Sequence, residues 1–191
     1  MTAARQIAIV LSPDLTALHA LGPYEVLKLL PGAEIRFVAR EPGPVVTDRA
    51  ALVVGATHSF EETPRPYLVL VPGSEANTTP AMANGRMISG LQRVHAVSTW
   101  TASVCSGSLI LAAAGLLEGK PAISHWWALR SLSPLQCSAD ICSADTYSNE
   151  RVVRSGKIWT AAGVSAGLDL ALALVDEIAG REQGKARAAE A

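Results

Sequence analysis

Ser103-Val104-Cys105-Ser106-Gly107 places a thiol between an apolar, β-rich run and an Ala/Leu-rich run with helical spacing. In a strand–turn–helix elbow the nucleophile sits on a sharp turn, and the backbone N–H that follows it helps form an oxyanion hole. Unpaired N–H groups at a helix start favour the thiolate. Gly107 would let the helix backbone approach closely without a Cβ clash. The elbow is partial, because position 103 is serine where hydrolases carry glycine. Taken locally, the pattern fits a reactive thiol and a small buried residue equally well, since free cysteines are often buried.

Other chemistry-bearing residues read more simply. Cys137 and Cys142 form C-x4-C with His125 twelve residues upstream, a poor zinc spacing, so ordinary thiols and no metal are expected. His58 and His95 read as surface or structurally satisfied histidines. Trp126-Trp127 reads as core packing, ahead of a pocket lining or a dimer interface. Gly163-Val164-Ser165 fits a strand-to-helix turn, with Ser165 a suitable N-cap. No G-x-G-x-x-G or G-x-x-x-x-G-K-[ST] is present, which removes the usual nucleotide readings.

These residues need elements to hold them. Ile7–Leu11 reads as a fully buried strand. Thr16 to Leu30 has helical spacing, with a turn or kink expected at Gly22-Pro23 and a helix from Pro23. Strands are expected at Ile35–Ala39, Val45–Thr47, Leu52–Val54, Tyr67–Val71 and Thr99–Val104. Helices are expected at Asn84–Ser98, Gly107–Leu117 and Trp126–Leu132, with a short strand or turn at Pro121–Ser124. Arg151–Arg154 and Lys157–Thr160 read as a hairpin across Ser155-Gly156. Ser165 to Ile178 reads as an apolar helix stopping at Gly180, and residues 181–191 as a frayed tail. Strands alternating with helices predict an α/β sandwich around a largely parallel sheet. Ligands of such sheets bind at the strands' carboxyl ends, where Val71-Pro72-Gly73-Ser74 and Val104-Cys105-Ser106-Gly107 stand out.

The chain has 191 residues. At roughly 150 residues per domain that predicts one domain, 1–191, with a core over about 5–180. Apolar residues make up 49% and charged residues 17%, which excludes a disordered chain. Lys plus Arg number 16 and Asp plus Glu 17, so no electrostatic pull toward nucleic acid or an acidic membrane is expected. The odd count of three cysteines is no disulfide framework and favours a reducing compartment. Met1–Gln6 runs straight into a five-residue apolar segment, unlike a signal peptide. No run reaches the roughly 18 apolar residues of a membrane span, so the expected location is cytoplasmic.

Several separated segments together resemble the DJ-1/PfpI superfamily, and most closely its isonitrile hydratase-like branch. They are Leu21-Gly22-Pro23-Tyr24-Glu25-Val26, Val69-Leu70-Val71-Pro72-Gly73, Cys105-Ser106-Gly107-Ser108 with Leu111–Leu117, His125-Trp126, and Thr160–Asp169. The amidase-like domains of AraC-type regulators are similar to the same segments. The resemblance spans roughly residues 5 to 180 and implies a flavodoxin-like three-layer sandwich, a homodimer and no cofactor. Cys105 matches the family's nucleophile. Ser106 matches the small hydroxyl residue after it, a threonine in the hydratases. Gly73 and Ser74 match a Pro-Gly-Gly turn whose N–H groups face the cysteine, with Ser74 replacing the second glycine. If that position requires a glycine conformation, the turn is altered. His125 matches a histidine found 20 residues after the cysteine in several members. Gly163 begins a helix turn near the cysteine loop, where its backbone could meet a ligand.

His19 is the departure. The family carries Asp or Glu at that place in Thr16–Pro23. In the hydratases this acid is proposed to protonate the substrate carbon, and in DJ-1-like members a protonated acid hydrogen-bonds the sulfur. Histidine can donate or accept near neutral pH. The resemblance therefore implies hydration of an isonitrile to an N-substituted formamide. Cys105 is the nucleophile and His19 the acid, with Ser106 and the Gly73, Ser74 and Ser106 N–H groups orienting substrate or stabilising charge. Glyoxalase-like hydration, amide hydrolysis, and a non-catalytic sensor of small molecules or of redox state are the alternatives. Regulators of the AraC type need a further DNA-binding module, for which 191 residues leave no length, so sensing ranks below catalysis.

Overall fold

The structure, a computed structural model, describes residues 4–132 and 150–189. Cys137 and Cys142 lie outside them. In chain order the elements are β1 (Arg5–Val10), α1 (Ala17–Leu27), β2 (Ala33–Ala39), β3 (Gly43–Val46), β4 (Val53–Ala56), β5 (His58–Ser59), β6 (Leu68–Val71), α2 (Thr78–Ala83), α3 (Gly85–Val97), β7 (Trp100–Val104), α4 (Gly107–Ala113), α5 (Leu129–Leu132), β8 (Val152–Ser155), β9 (Ile158–Ala161) and α6 (Ala166–Ala189). Seven strands form one sheet in the order β5-β2-β1-β6-β7-β9-β8. Every neighbouring pair in it is parallel except β8–β9. The α/β fold with a largely parallel sheet is as expected. β3 and β4 pair separately as an antiparallel ribbon.

Strand side chains alternate between two cores, as the period of two requires. Ile7, Ile9, Leu68, Leu70, Trp100, Ala102 and Val104 face one layer with α1 and α6 residues such as Leu27, Leu170 and Leu174. Ala8, Val10, Val69 and Val71 face the other, with Leu91 and Val94 of α3 and Leu109–Ala112 of α4. The loops after β1, β6, β7 and β9 leave adjacent strands at one edge of the sheet, and the candidate residues sit on or beside them.

Several boundaries differ from expectation for local reasons. α1 runs unbroken through Gly22 and Pro23. Packing between the sheet and α6 outweighs the hydrogen bond that proline removes, and a Cβ at Gly22 would already touch Leu168 Cδ2 at 3.4 Å. α4 ends at Ala113 rather than Leu117, because Gly115 adopts φ 73°. The Leu116 N–H then reaches Leu111 O at 3.1 Å and the Gly115 N–H reaches Ala112 O at 2.8 Å, a Schellman stop. Residues 121–125 form no strand, and only Leu129–Leu132 of the expected 126–132 helix is helical. Trp126 and Trp127 are 67% and 41% exposed, so they do not pack in the core. The last helix passes Gly180 and continues to Ala189, where a frayed tail was expected. Its Glu, Gln, Lys, Arg and Ala residues favour helix strongly enough to absorb Gly180 and Gly184. The hairpin forms one residue later than expected, with Gly156 at φ 59° in its turn. Edge strand β5 and short helix α2 were not foreseen. Among the described residues no helix is long and apolar enough to cross a membrane.

His95 is a satisfied structural histidine, with Nδ1 2.8 Å from Thr101 Oγ1. Burial, reinforced by Lys157 and Lys120, pushes its pKa down to about 4. The folded chain thus holds His95 neutral while the unfolded chain protonates near 6.5. Its contribution to stability is full above that unfolded value and is lost as pH falls toward 4. Acidification from pH 7 to 4.5 should therefore lower the Tm of the native chain more than that of His95→Gln, in thermal scans across that range. Parallel Tm-against-pH curves would contradict this.

Candidate active site

Cys105 follows β7 directly, at φ 59°. A left-handed backbone costs a non-glycine residue about 1–2 kcal/mol, so its surroundings must hold it. The Cys105 N–H is shared between Ala161 O and Ala162 O, both at 3.0 Å. The Cys105 carbonyl accepts from Ser124 Oγ at 2.9 Å and Ser108 Oγ at 3.1 Å. Close packing fixes the rest. A Cβ on Gly107 would lie 2.1 Å from Val71 O, and one on Gly73 would lie 2.7 Å from both Ser106 N and Ser106 Oγ. Only glycine lets the loops after β6 and β7 meet this closely.

The thiol is 5% exposed. Burial pushes it up from its ordinary value, opposed by hydrogen bonds from the Ser106 N–H, the Ser106 hydroxyl and the Val164 N–H. Val164 sits in the loop after β9 at φ 33°.

His19, on the first turn of α1, is 2% exposed. Its Nδ1 lies 3.1 Å from Gly73 O. A carbonyl can only accept, so Nδ1 carries the proton and Nε2 presents its lone pair. That Nε2 is buried without a partner among the described residues. Burial lowers the His19 pKa, opposed by the Gly73 contact and Asp48 and aided by His125. The imidazole is therefore neutral at pH 7. In this resting state its Nε2 offers a lone pair rather than a proton.

Ser106 Oγ is also committed. It accepts from the Ser74 N–H at 3.1 Å, lies 2.8 Å from Ser74 O, and lies 2.7 Å from Thr78 Oγ1. Ser74 does not adopt a positive φ, so the turn keeps its course without the second glycine. The Ser74 Oγ donates to Asp14 O at 2.6 Å and accepts from the Asn77 N–H at 2.8 Å. The Gly73 N–H makes no hydrogen bond within the described residues.

His125 lies against Gly163, where an added Cβ would be 1.9 Å from its Cδ2. The missing side chain of Gly163 seats that ring. Trp126 and Trp127 flank it at centroid distances of 5.5 and 5.8 Å. His125 Nδ1 is buried without a partner among the described residues, and burial lowers the ring's pKa.

With its geometry in view, the chain can be set beside known proteins. The sequence profile of the DJ-1/PfpI family matches residues 5–177. The chain belongs to the DJ-1/PfpI family. It is 36% identical over 177 residues to the isonitrile hydratase of Pseudomonas putida, covering 93% of this chain and 73% of that one. A crystallised ThiJ/PfpI family protein from Pseudomonas syringae superposes with a TM-score of 0.82 at 34% identity, covering 92% of this chain and 69% of the other. Oxidised DJ-1 from Toxoplasma gondii shares the fold at 23% identity and a TM-score of 0.75, covering 98% and 97% of the two chains.

Within this DJ-1/PfpI fold, loops from β1, β6, β7 and β9 deliver His19, Gly73-Ser74, Cys105-Ser106 and Gly163-Val164 to one edge. A neighbouring cavity of about 950 Å³ is lined by residues including Ser12, Arg40, Phe60, Asn77 and Arg86, and by neither Cys105 nor His19. Among the described residues no three His, Cys, Asp or Glu side chains gather as a metal site. Sequence reasoning missed Thr78 and Ser124, which meet Ser106 and Cys105 across 28 and 19 residues with no local pattern to mark them. The buried, uncharged thiol gives a direct expectation. At pH 7 iodoacetamide should alkylate Cys105 of the native chain more slowly than the denatured chain, with the rate rising to a midpoint above the ordinary thiol value. Faster labelling of the native thiol would contradict this, in a mass-spectrometric time course.

Proposed function

We propose that the chain hydrates isonitriles to N-substituted formamides through Cys105. The observation that carries this reading is that a buried thiol and the buried imidazole of His19 are set against the same turn, Cys105 through the close approach of Ser106 to Gly73 and His19 through the Gly73 carbonyl. That imidazole is held neutral, with Nδ1 tied to Gly73 O and Nε2 unpartnered. The 36% identity to an isonitrile hydratase supports the choice of substrate. So does the thiol's 5% exposure, because the linear –N≡C head is among the slimmest electrophiles that could reach it.

The proton inventory closes without an outside acid. As the sulfur attacks the terminal carbon, the thiol proton passes to His19 Nε2. The imidazolium then gives it to that carbon, leaving R–N=CH–S–Cys105. Water adds to the thioimidate carbon, the C–S bond breaks, and the sulfur takes a proton back as R–NH–CHO departs. The sum is isonitrile plus water giving formamide, with the enzyme unchanged. The Gly73 and Ser106 N–H groups are the proposed donors to charge developing during these steps. Ser74 and Gly163 act through packing, one ordering the turn and the other seating His125.

The proposed partner is a second copy of the chain. Leu18, Val164, Leu168 and Leu172 are exposed on α1, α6 and the loop before it, and Leu18 and Leu168 both approach Gly22. Covering them would also shield the Val164 loop that contacts the thiol.

Formamide production from alkyl and aryl isonitriles tests the reading. The native chain should turn over, Cys105→Ala should not, and His19→Asn should lose about 10²–10⁴-fold in kcat. His19→Asp should recover part of that loss. Activity should be flat near neutrality and fall in acid as Nε2 becomes protonated, below the ordinary histidine value. Native protein that alkylates at Cys105 yet forms no formamide would overturn isonitriles as the substrate class.

A further inference from the structure

The cavity of about 950 Å³ beside the elbow is lined by neither Cys105 nor His19, so the reaction at the thiol leaves it unexplained. It lies at the carboxyl ends of β1 and β2, against α2 and α3. β1 and β6 are neighbours in the sheet. The chain leaves β1 for α1, in the layer with α6, and leaves β6 for α2 and α3, in the opposite layer. Open α/β sheets bind ligands where neighbouring strands diverge in this way.

The inner wall of the cavity is apolar. Leu11, Val45, Phe60 and Ala81 line it and are buried. Gly90 of α3 lets the Phe60 ring lie so close that a Cβ there would meet it at 3.1 Å. One polar group interrupts this wall. Ser12 lines the cavity and is 6% exposed, and its hydroxyl makes no hydrogen bond among the described residues. Buried hydroxyls are seldom left without a partner.

The mouth is charged. Arg40, Arg86 and Arg93 stand there with Glu41 and Glu61, all exposed, so three cations and two anions leave one positive charge over. Arg40 pairs with Glu41 at 3.4 Å and Arg93 with Glu61 at 3.3 Å, and exposed pairs of this kind hold weakly. The Arg86 guanidinium has no partner among the described residues. It also stands in the first turn of α3, where no acidic residue accompanies it. The helix macrodipole disfavours a cation at that end and favours an anion. A carboxylate on Arg86 would balance both the side chain and the helix end, and a single net positive charge matches one carboxylate rather than a phosphate dianion.

We propose that this cavity is a second ligand site, for a small amphipathic monocarboxylate carrying one further polar group. Its apolar body lies on the wall around Phe60, its carboxylate meets Arg86, and its polar group meets the Ser12 hydroxyl. The proposal does not rest on isonitrile hydration, because the site does not include Cys105 and its ligand need not react.

The probe is para-hydroxyphenylpropionate, titrated into the full chain isotope-labelled at its methionine methyl groups. Met87 lines the cavity, so its methyl signal, assigned with Met87→Leu, should shift saturably. The neutral para-hydroxyphenylpropionamide should bind about ten- to a hundredfold more weakly, the worth of a hydrogen bond to a charged group. Arg86→Ala should erase that preference, and alanine at this exposed helical position keeps the fold. Ser12→Ala should weaken the probe about three- to tenfold and leave phenylpropionate, which lacks the ring hydroxyl, unaffected. Cys105→Ala should leave every affinity unchanged. A Met87 methyl that does not move, an amide that binds as well as the acid, a preference that survives Arg86→Ala, a Ser12→Ala loss shared by both acids, or binding that disappears with Cys105 would each overturn the proposal. Absent isonitrile hydration with this binding intact would count against the proposed function alone.

Discussion

The contact between Gly107 and the Val71 carbonyl governs the rest of the site. The start of α4 lies so near the end of β6 that even one methyl group would sit 2.1 Å from a backbone oxygen. This closeness brings the β6 and β7 loops into contact and leaves the chain between β7 and α4 no room for an ordinary turn. Cys105 takes the strained φ of 59° as a result. Both its backbone groups are then held from outside the elbow, the N–H by the β9 end and the carbonyl by Ser124 and Ser108. A free turn would relax toward an unstrained conformation, whereas this one is overdetermined. The position of Cys105 follows from backbone packing before any side-chain chemistry is considered.

Burial on this scale shapes the electrostatics. Desolvation disfavours whichever form of a group is charged, so it raises the thiol and lowers both imidazoles. The resting site stores protons rather than charges. From this angle the histidine at position 19 is a milder departure than sequence comparison suggests. A buried carboxyl would be driven toward its protonated, neutral form, and a buried imidazole is driven toward its deprotonated, neutral form. In the proposed reaction both would move one proton between sulfur and substrate, differing in where it starts: on the acid for a carboxyl, and on the thiol for His19.

The fold was largely legible because its strands are short apolar runs separated by glycine, proline and polar turns. The errors cluster where tertiary packing overrode local preference. Pro23 signals a break, but α1 is wedged against α6 and stays helical. Trp126 and Trp127 are apolar enough to predict burial, yet they follow His125 onto the surface because that ring occupies the space against Gly163. The sequence marked Cys105, Ser106, Gly73, Ser74, His19 and His125 as candidates, and the structure brings their loops together, since the motifs that mark the elbow also mark the loops beside it. What remained hidden was the direction of each hydrogen bond. Nothing in Thr16–Pro23 reveals that His19 Nδ1 faces a carbonyl 54 residues away, and that single contact decides whether the ring gives or takes a proton.

Ser74 shows the same dependence on context. In a glycine-rich turn, replacing a glycine usually implies strain, but strain arises only where φ is positive, and here it is not. The added hydroxyl instead ties Asp14 after β1 to Asn77 before α2. The turn gains two hydrogen bonds that glycine could not make, and they tie the loops after β1 and β6 together. The tie has a chemical consequence. The Ser74 amide is held on Ser106 Oγ, and the Gly73 N–H is used by no group among the described residues. The turn therefore leaves the proposed reaction fewer free donors than a Gly-Gly turn would suggest.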